Sequence, residues 1–199
     1  MKKLGRSGYA LVLLLLCSGC KSGVHAGATS PSTPKMPAPI VISHFAIQRP
    51  PPAWVPTLEA AEKAAKTQPD ARKAQLNLGL AYYRVERYRE AITTLKRVAI
   101  KFPKSPQTHY WLGCAYMGAN DLVRALQTFE YLTQIPHVST GYLLNTYIDM
   151  EHCYFDLYQD QKAELVLQKA LKIDKNNQDV RDLLKTLHEE MAIRKKQGW

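Results

Sequence analysis

Cysteine is scarce in this 199-residue chain: there are four, and two of them, Cys17 and Cys20, stand beside a short apolar run near the start. Only Cys114 and Cys153 remain in the body of the chain. Both fall in segments of helical periodicity, and neighbouring helices run about 8–10 Å apart at their axes, which suits a disulfide poorly for most facings. A disulfide framework is excluded, and two free thiols are expected. The chain also lacks a glycine-rich phosphate loop and a nucleophile elbow. His188-Glu189-Glu190-Met191 opens like a zinc-protease helix, but Ala192 stands where the second histidine belongs. These absences argue against an enzyme and leave no catalytic or metal set to name.

Acidic residues are also in short supply, 17 against 27 basic ones, for a formal charge of +10. The excess is local. Residues 72–105 hold nine basic and two acidic side chains, residues 106–139 one and two, and residues 140–177 four and six. No interleaving of aromatic and basic residues accompanies the excess, so nucleic acid is not an expected partner. A basic end of this kind suits anionic lipid headgroups or an acidic protein.

The chain opens with Lys2, Lys3 and Arg6, then the apolar run Tyr9 to Leu16, then Cys17-Ser18-Gly19-Cys20. The run is too short to span a bilayer as a mature helix and reads as a secretory signal. Ser18-Gly19-Cys20 resembles the lipobox of bacterial lipoproteins, with Cys17 where leucine is usual. That resemblance implies a leader over 1–19 and a diacylglycerol or acyl lipid on Cys20 as the only attached group, with no other cofactor. Acyl chains at about 0.8 kcal/mol per buried methylene would hold the protein on a membrane. The implied location is the bacterial cell envelope: the periplasmic face of an outer membrane where the host has one, otherwise the outer leaflet of the cytoplasmic membrane. From Lys21 to Pro39, 14 of 19 residues are Gly, Ala, Ser, Thr or Pro, a tether that cannot bury enough surface to fold. Its reach is about 25 Å as a coil and roughly 60 Å extended. An apolar strip over 40–56 completes the segment 20–56; so apolar a strip is expected to pack along the rest of the chain.

Past residue 57 a pattern recurs. Gly79, Tyr82, Ala91, Leu95 and Val98 return 34 positions later as Gly113, Tyr116, Ala125, Phe129 and Leu132. A third copy follows 38 positions after the second, as Tyr154, Ala163, Leu167 and Ala170. A period near 34 built from helical stretches means stacked helix pairs that bury their apolar faces only against neighbours. The glycines and alanines allow close approach between helices, and Glu151 in the third glycine place predicts a looser crossing there. The four extra residues near His137 to Leu143 predict a longer loop. Thr57, with Ala61 and Ala64 in register, predicts the N-cap of a half repeat. Val180, Leu184, Leu187 and Met191 predict one apolar face of a terminal helix.

The pattern Leu78-Gly79, Tyr82, Ala91, Leu95, Pro103 resembles the tetratricopeptide repeat. The resemblance implies an all-α fold, a right-handed superhelical solenoid of helix-turn-helix repeats with a C-terminal capping helix. Its expected divisions are a half repeat over 57–71, repeats over 72–105, 106–143 with the inserted loop, and 144–177, and the cap over 178–199. In that family the first helix of each pair lines a concave groove that binds protein segments. Here that groove would show Lys73, Leu76, Asn77, Leu80, Tyr83 and Arg84, then Tyr110, Trp111, Cys114 and Met117, then Ile148, Asp149, His152, Phe155 and Asp156. It would be basic at one end, aromatic in the middle and acidic at the other. The co-chaperone branch clamps a carboxylate with Lys, Asn and Arg together, and only Lys73 and Asn77 echo it here.

The implied function is a non-enzymatic, membrane-anchored adaptor whose groove holds a segment of another envelope protein, for assembly of a pilus, secretion or cell-wall complex. No small-molecule substrate is expected. Two other readings stand beside it. Asp149, His152, Cys153 and Asp156 share one helical face at spacing suited to metal ligation or catalysis. Alternatively the groove is filled by the chain's own residues 40–56 in a structural subunit.

Overall fold

A computed structural model describes residues 52–198. These residues form helices α1 (Leu58–Thr67), α2 (Arg72–Arg84), α3 (Tyr88–Lys101), α4 (Pro106–Gly118), α5 (Leu122–Gln134), α6 (Thr140–Asp156), α7 (Asp160–Ile173) and α8 (Gln178–Lys196). No strand occurs among them, and none of the described helices is long and apolar enough to cross a membrane. The leader, Cys20, the tether and strip residues 40–51 lie outside the described residues.

Each helix starts and stops for local reasons. Thr57 accepts from Ala60 N at 3.3 Å, the N-cap expected from sequence, and Ser105, Asp121, Ser139 and Asn177 cap α4, α5, α6 and α8 in the same way. The turn inside each pair closes through a left-handed residue: Glu86 at φ 60°, Asn120 at φ 59° and Tyr158 at φ 57°. Around Glu86 the return is tied by its own N–H to Tyr83 O and by Arg87 N–H to Tyr82 O, at 3.0 and 2.9 Å. Asparagine tolerates this conformation, whereas glutamate and tyrosine carry a cost of about 1 kcal/mol in it.

Consecutive helices pack antiparallel in pairs, α2 on α3, α4 on α5, α6 on α7, and each pair stacks on the next. First helices also meet first helices, α2 with α4 and α4 with α6, while no comparable contact joins α3 to α5 or α5 to α7 among the described residues. The first helices therefore form the inner layer and the second helices the outer one. Ala91, Ala125 and Ala163 are all fully buried where the layers meet. Gly79 lies so close to Leu95 that a Cβ there would sit 2.6 Å from its Cδ2, and at Gly113 a Cβ would sit 2.7 Å from Phe129 Cδ1. Close approach between the two helices of a pair is what these glycines provide.

Three expectations change. The four residues that lengthen the third spacing do not form a loop: α6 has 17 residues where α4 has 13, so they add one turn to its start. Ser139 caps that turn and nothing in Tyr142 to Asn145 resists helix, so the chain gains backbone hydrogen bonds by continuing it. The crossing at Glu151 is not loose, for α6 and α7 are apposed as closely as the other pairs. The Glu151 carboxylate turns aside to His152, its Oε2 lying 2.9 Å from Nδ1. In the half repeat, Ala61 is buried as expected but Ala64 is exposed and Ala65 takes the second core place, for among the described residues no first helix precedes α1 to cover Ala64.

The cap behaves as its pattern predicts. Val180 and Leu187 are buried on α7, with Leu184 and Met191 partly covered beside them. Arg194 fixes the far end. Its guanidinium pairs with Asp160 and lies 4.6 Å over the Phe155 ring and 5.0 Å over the Tyr158 ring.

Candidate functional site

The inner layer carries a row of aromatic rings. Tyr88 of α3 meets Tyr83 of α2 with centroids 5.7 Å apart, Tyr83 meets Trp111 of α4 at 5.6 Å, Trp111 meets Tyr110 at 5.3 Å, and Tyr110 meets Tyr142 of α6 at 5.4 Å. All four contacts are edge-to-face, the geometry ring quadrupoles favour. The row joins all three repeats. Tyr83, Tyr110 and Trp111 were named from the groove register; Tyr88 and Tyr142 were not. Tyr142 stands on the added turn of α6, and only the helical placement of those four residues brings it over Tyr110.

Trp111 is 4% exposed and Tyr110 2%, so the middle of the groove is a packed floor rather than an open aromatic surface. Leu76, Leu80 and Cys114 are buried with them, while Asn77 and Met117 are half-buried and Lys73 is exposed. Asn77 Oδ1 is buried and accepts no hydrogen bond from the described residues.

The basic end divides. Lys73 lies in the first turn of α2 and Arg84 is its last residue, so the two stand roughly 16 Å apart along the axis. Arg84 is also committed: its guanidinium donates to Val55 O, at 2.6 Å, and to Pro56 O. It therefore does not combine with Lys73 as one anionic-binding end. Instead it ties down the last residues of the strip, and Val55 is buried at 4% exposure.

The acidic end is concentrated on α6. Asp149, Glu151 and His152 are each only 2% exposed, Ile148 and Asp156 are half-buried, and Phe155 is buried. Burial alone would pull the His152 pKa down. The hydrogen bond that His152 donates to Glu151 and the charges of Glu151, Asp149 and Asp156 outweigh it, and the net direction is up. Cys153 is fully buried; desolvation, reinforced by Asp149, Asp156 and Glu151, pushes its thiol up and keeps it protonated. Among the described residues no three His, Cys, Asp or Glu side chains converge as a metal site requires. Cys153 is taken up in the apolar core and His152 by Glu151, so helical spacing alone overstated that set. Cys114 and Cys153 are both free thiols.

His109 and Tyr154 mark the same junctions in a structural role. His109 Nε2 lies 2.7 Å from Pro103 O, and burial lowers its pKa despite that carbonyl. Tyr154 donates to Glu130 at 3.0 Å across the α5–α6 junction, and burial with that bond pushes its hydroxyl up to about 12.

The tetratricopeptide-repeat family profile matches residues 56–92 and 78–137. The described helices form an all-α helical-repeat solenoid similar to those of tetratricopeptide-repeat proteins. The crystal structure of MamA superposes with a TM-score of 0.60 at 20% identity, over 69% of this chain and 78% of that one. The first such domain of human RPAP3 gives 0.56 at 17% identity, over 64% of this chain and 98% of that domain. The Yersinia enterocolitica type III secretion chaperone SycD, in complex with a peptide of the translocator YopD, gives 0.51 at 13% identity, over 62% and 93%. No curated protein sequence matches the chain. At these identities the likeness concerns the fold.

Proposed function

We infer that this solenoid is a non-enzymatic adaptor that holds a segment of another protein along its inner layer. The observation that carries the reading is the continuous aromatic row from Tyr88 to Tyr142, flanked by Asn77 on one side and the α6 carboxylates on the other. Tyr88 and Tyr142, the half-buried ends of the row, are the rings a ligand reaches, and because the buried rings between them hold them in place they lose little entropy on contact, which is how an interface anchor gains affinity. The half-buried Asp156 favours a basic residue at the far end. Lys73, rather than Arg84, remains to meet an acidic one. Peptide binding by the structurally similar secretion chaperone supports a protein segment as the ligand.

The leader and the lipobox-like Cys20 support placing this adaptor on a membrane of the bacterial cell envelope, with the acyl lipid as its anchor and assembly of an envelope complex as its task. The experiment is photo-crosslinking in the native host from Met117, half-buried at the edge of the row, with Lys185 on the exposed side of α8 as control. A discrete protein captured from Met117 alone is the expected result. Equal capture from both positions would remove the inner layer as the binding face.

One observation favours a second reading. Because Arg84 grips Val55 and Pro56, the strip reaches the inner layer at the end of α2. A structural subunit whose groove is taken by residues 40–56 would give only intrachain crosslinks from Met117.

A further inference from the structure

The outer face of α3 carries a basic ridge with an apolar residue at its centre. Ile100 is 80% exposed, the most open of the large hydrophobic side chains described. Lys96 lies one turn before it and Lys104 follows in the turn after the helix, while Arg97 and Lys101 flank it, and all four are exposed. Arg97 and Lys101 are oriented along the rim: Arg97 Nη2 donates to Gln75 Oε1 at 2.5 Å and Lys101 Nζ lies 2.7 Å from Asp70. Lys96 and Lys104 meet no acid among the described residues. A shallow cleft of about 410 Å³, lined also by Glu62, lies between Arg97 and Lys66 of α1.

No other outer helix has this combination. On α5 the exposed Val123 and Tyr131 stand with Glu130, and on α7 the exposed Leu165 follows Glu164. The α7 lysines nearest Leu165 lie against rings, Lys162 5.6 Å over the Tyr154 ring and Lys169 6.0 Å over the Tyr147 ring.

We propose that the α3 ridge docks the solenoid on an anionic phospholipid surface, with Ile100 entering the headgroup region while Lys96 and Lys104 meet phosphates. Lysine stems lie along apolar surface while their ammonium groups reach for charge, so an isolated isoleucine among them suits a bilayer interface. An acidic protein would call for a shaped recess with paired donors, and Ile100 stands proud of the surface instead. The proposal rests on the membrane-anchored reading above, since a tethered domain sees lipid at an effective concentration in the millimolar range and a weak patch then suffices. The consequence is orientation. Because α3 belongs to the outer layer, docking through it turns the inner layer toward the aqueous side, where a partner segment arrives.

The test is sedimentation of the chain from Cys20 onward, made without its leader and therefore unacylated, with vesicles of phosphatidylcholine alone or mixed with phosphatidylglycerol. All eight described helices are in that chain. Retention is expected only on the anionic vesicles, falling about fivefold in Lys96→Gln and falling also in Ile100→Ser, with the circular dichroism of both variants unchanged. Equal retention on both vesicle types, or retention untouched by either substitution, overturns the proposal. So does an equal loss in Lys185→Gln on α8. Displacement by polyglutamate with no effect of Ile100→Ser would assign the ridge to an acidic polypeptide instead. Because this chain carries no lipid and Lys96 and Ile100 are remote from the aromatic row, failure of acylation or of partner capture leaves the result readable.

Discussion

Replacing Gly113 by alanine tests the packing that builds the inner layer. A Cβ at this position would lie 2.7 Å from both Cδ1 and Cζ of Phe129, and nearer still to Cε1. Phe129 is fully buried, with the Tyr110 ring 6.2 Å away, so it has little room to retreat. Overpacking a closed core costs about 1–3 kcal/mol, and a ring wedged this tightly belongs at the upper end. Alanine returns about 1 kcal/mol through its better helix propensity. The expected net loss is about 2 kcal/mol. Gly141, in the first turn of α6, is the control, since a Cβ there meets nothing within 4 Å and Gly141→Ala gains up to about 1 kcal/mol. Urea unfolding followed by far-ultraviolet circular dichroism reads both. With a slope of about 2 kcal/mol per molar, Gly113→Ala lowers the midpoint by about 1 M while Gly141→Ala raises it. A Gly113→Ala midpoint at or above the parent's would refute the close-approach argument.

Four further outcomes are expected. Glu86→Gly relieves the left-handed turn at φ 60° and raises stability by about 0.5–1 kcal/mol, read from the same urea midpoint. Arg194→Ala removes the Asp160 pair, both side chains being under 20% exposed, together with two ring contacts, and lowers stability by about 1–2 kcal/mol, with hydrogen exchange in α8 rising first. His152 has its pKa raised on folding, so its contribution is whole below about 6.5 and is lost as pH rises through its folded value; the urea midpoint falls across that window and His152→Gln flattens the fall. His109, shifted down by burial, acts only below about 6.5 and in the opposite sense, so the two are separable by pH range. Cys153, fully buried and held protonated, resists a thiol reagent in native protein and reacts at the rate of unfolding, read by mass spectrometry of the labelled peptide.

What the sequence determined by itself was everything periodic. A repeat near 34 residues fixes which residues face neighbouring helices, because each pair has only its neighbours to bury against. Thr57 at the cap of α1, Ala91, Ala125 and Ala163 between the layers, and Val180 and Leu187 under α8 were all legible on that ground. What only the tertiary structure decided was whatever breaks the period or depends on two elements far apart in the chain. Spacing counts four extra residues but does not say whether they loop or coil, and their helical placement is what sets Tyr142 on Tyr110. Register puts Arg84 in the groove, yet a guanidinium takes the nearest strong acceptors, and here these are two carbonyls of the entering strip. Helical spacing placed His152 and Cys153 on one face as a ligand set, but both are buried and differently engaged, the thiol within the apolar core and the histidine against the Glu151 carboxylate. Local pattern is written into the order of residues; the direction a side chain takes is settled by what the rest of the fold brings to it.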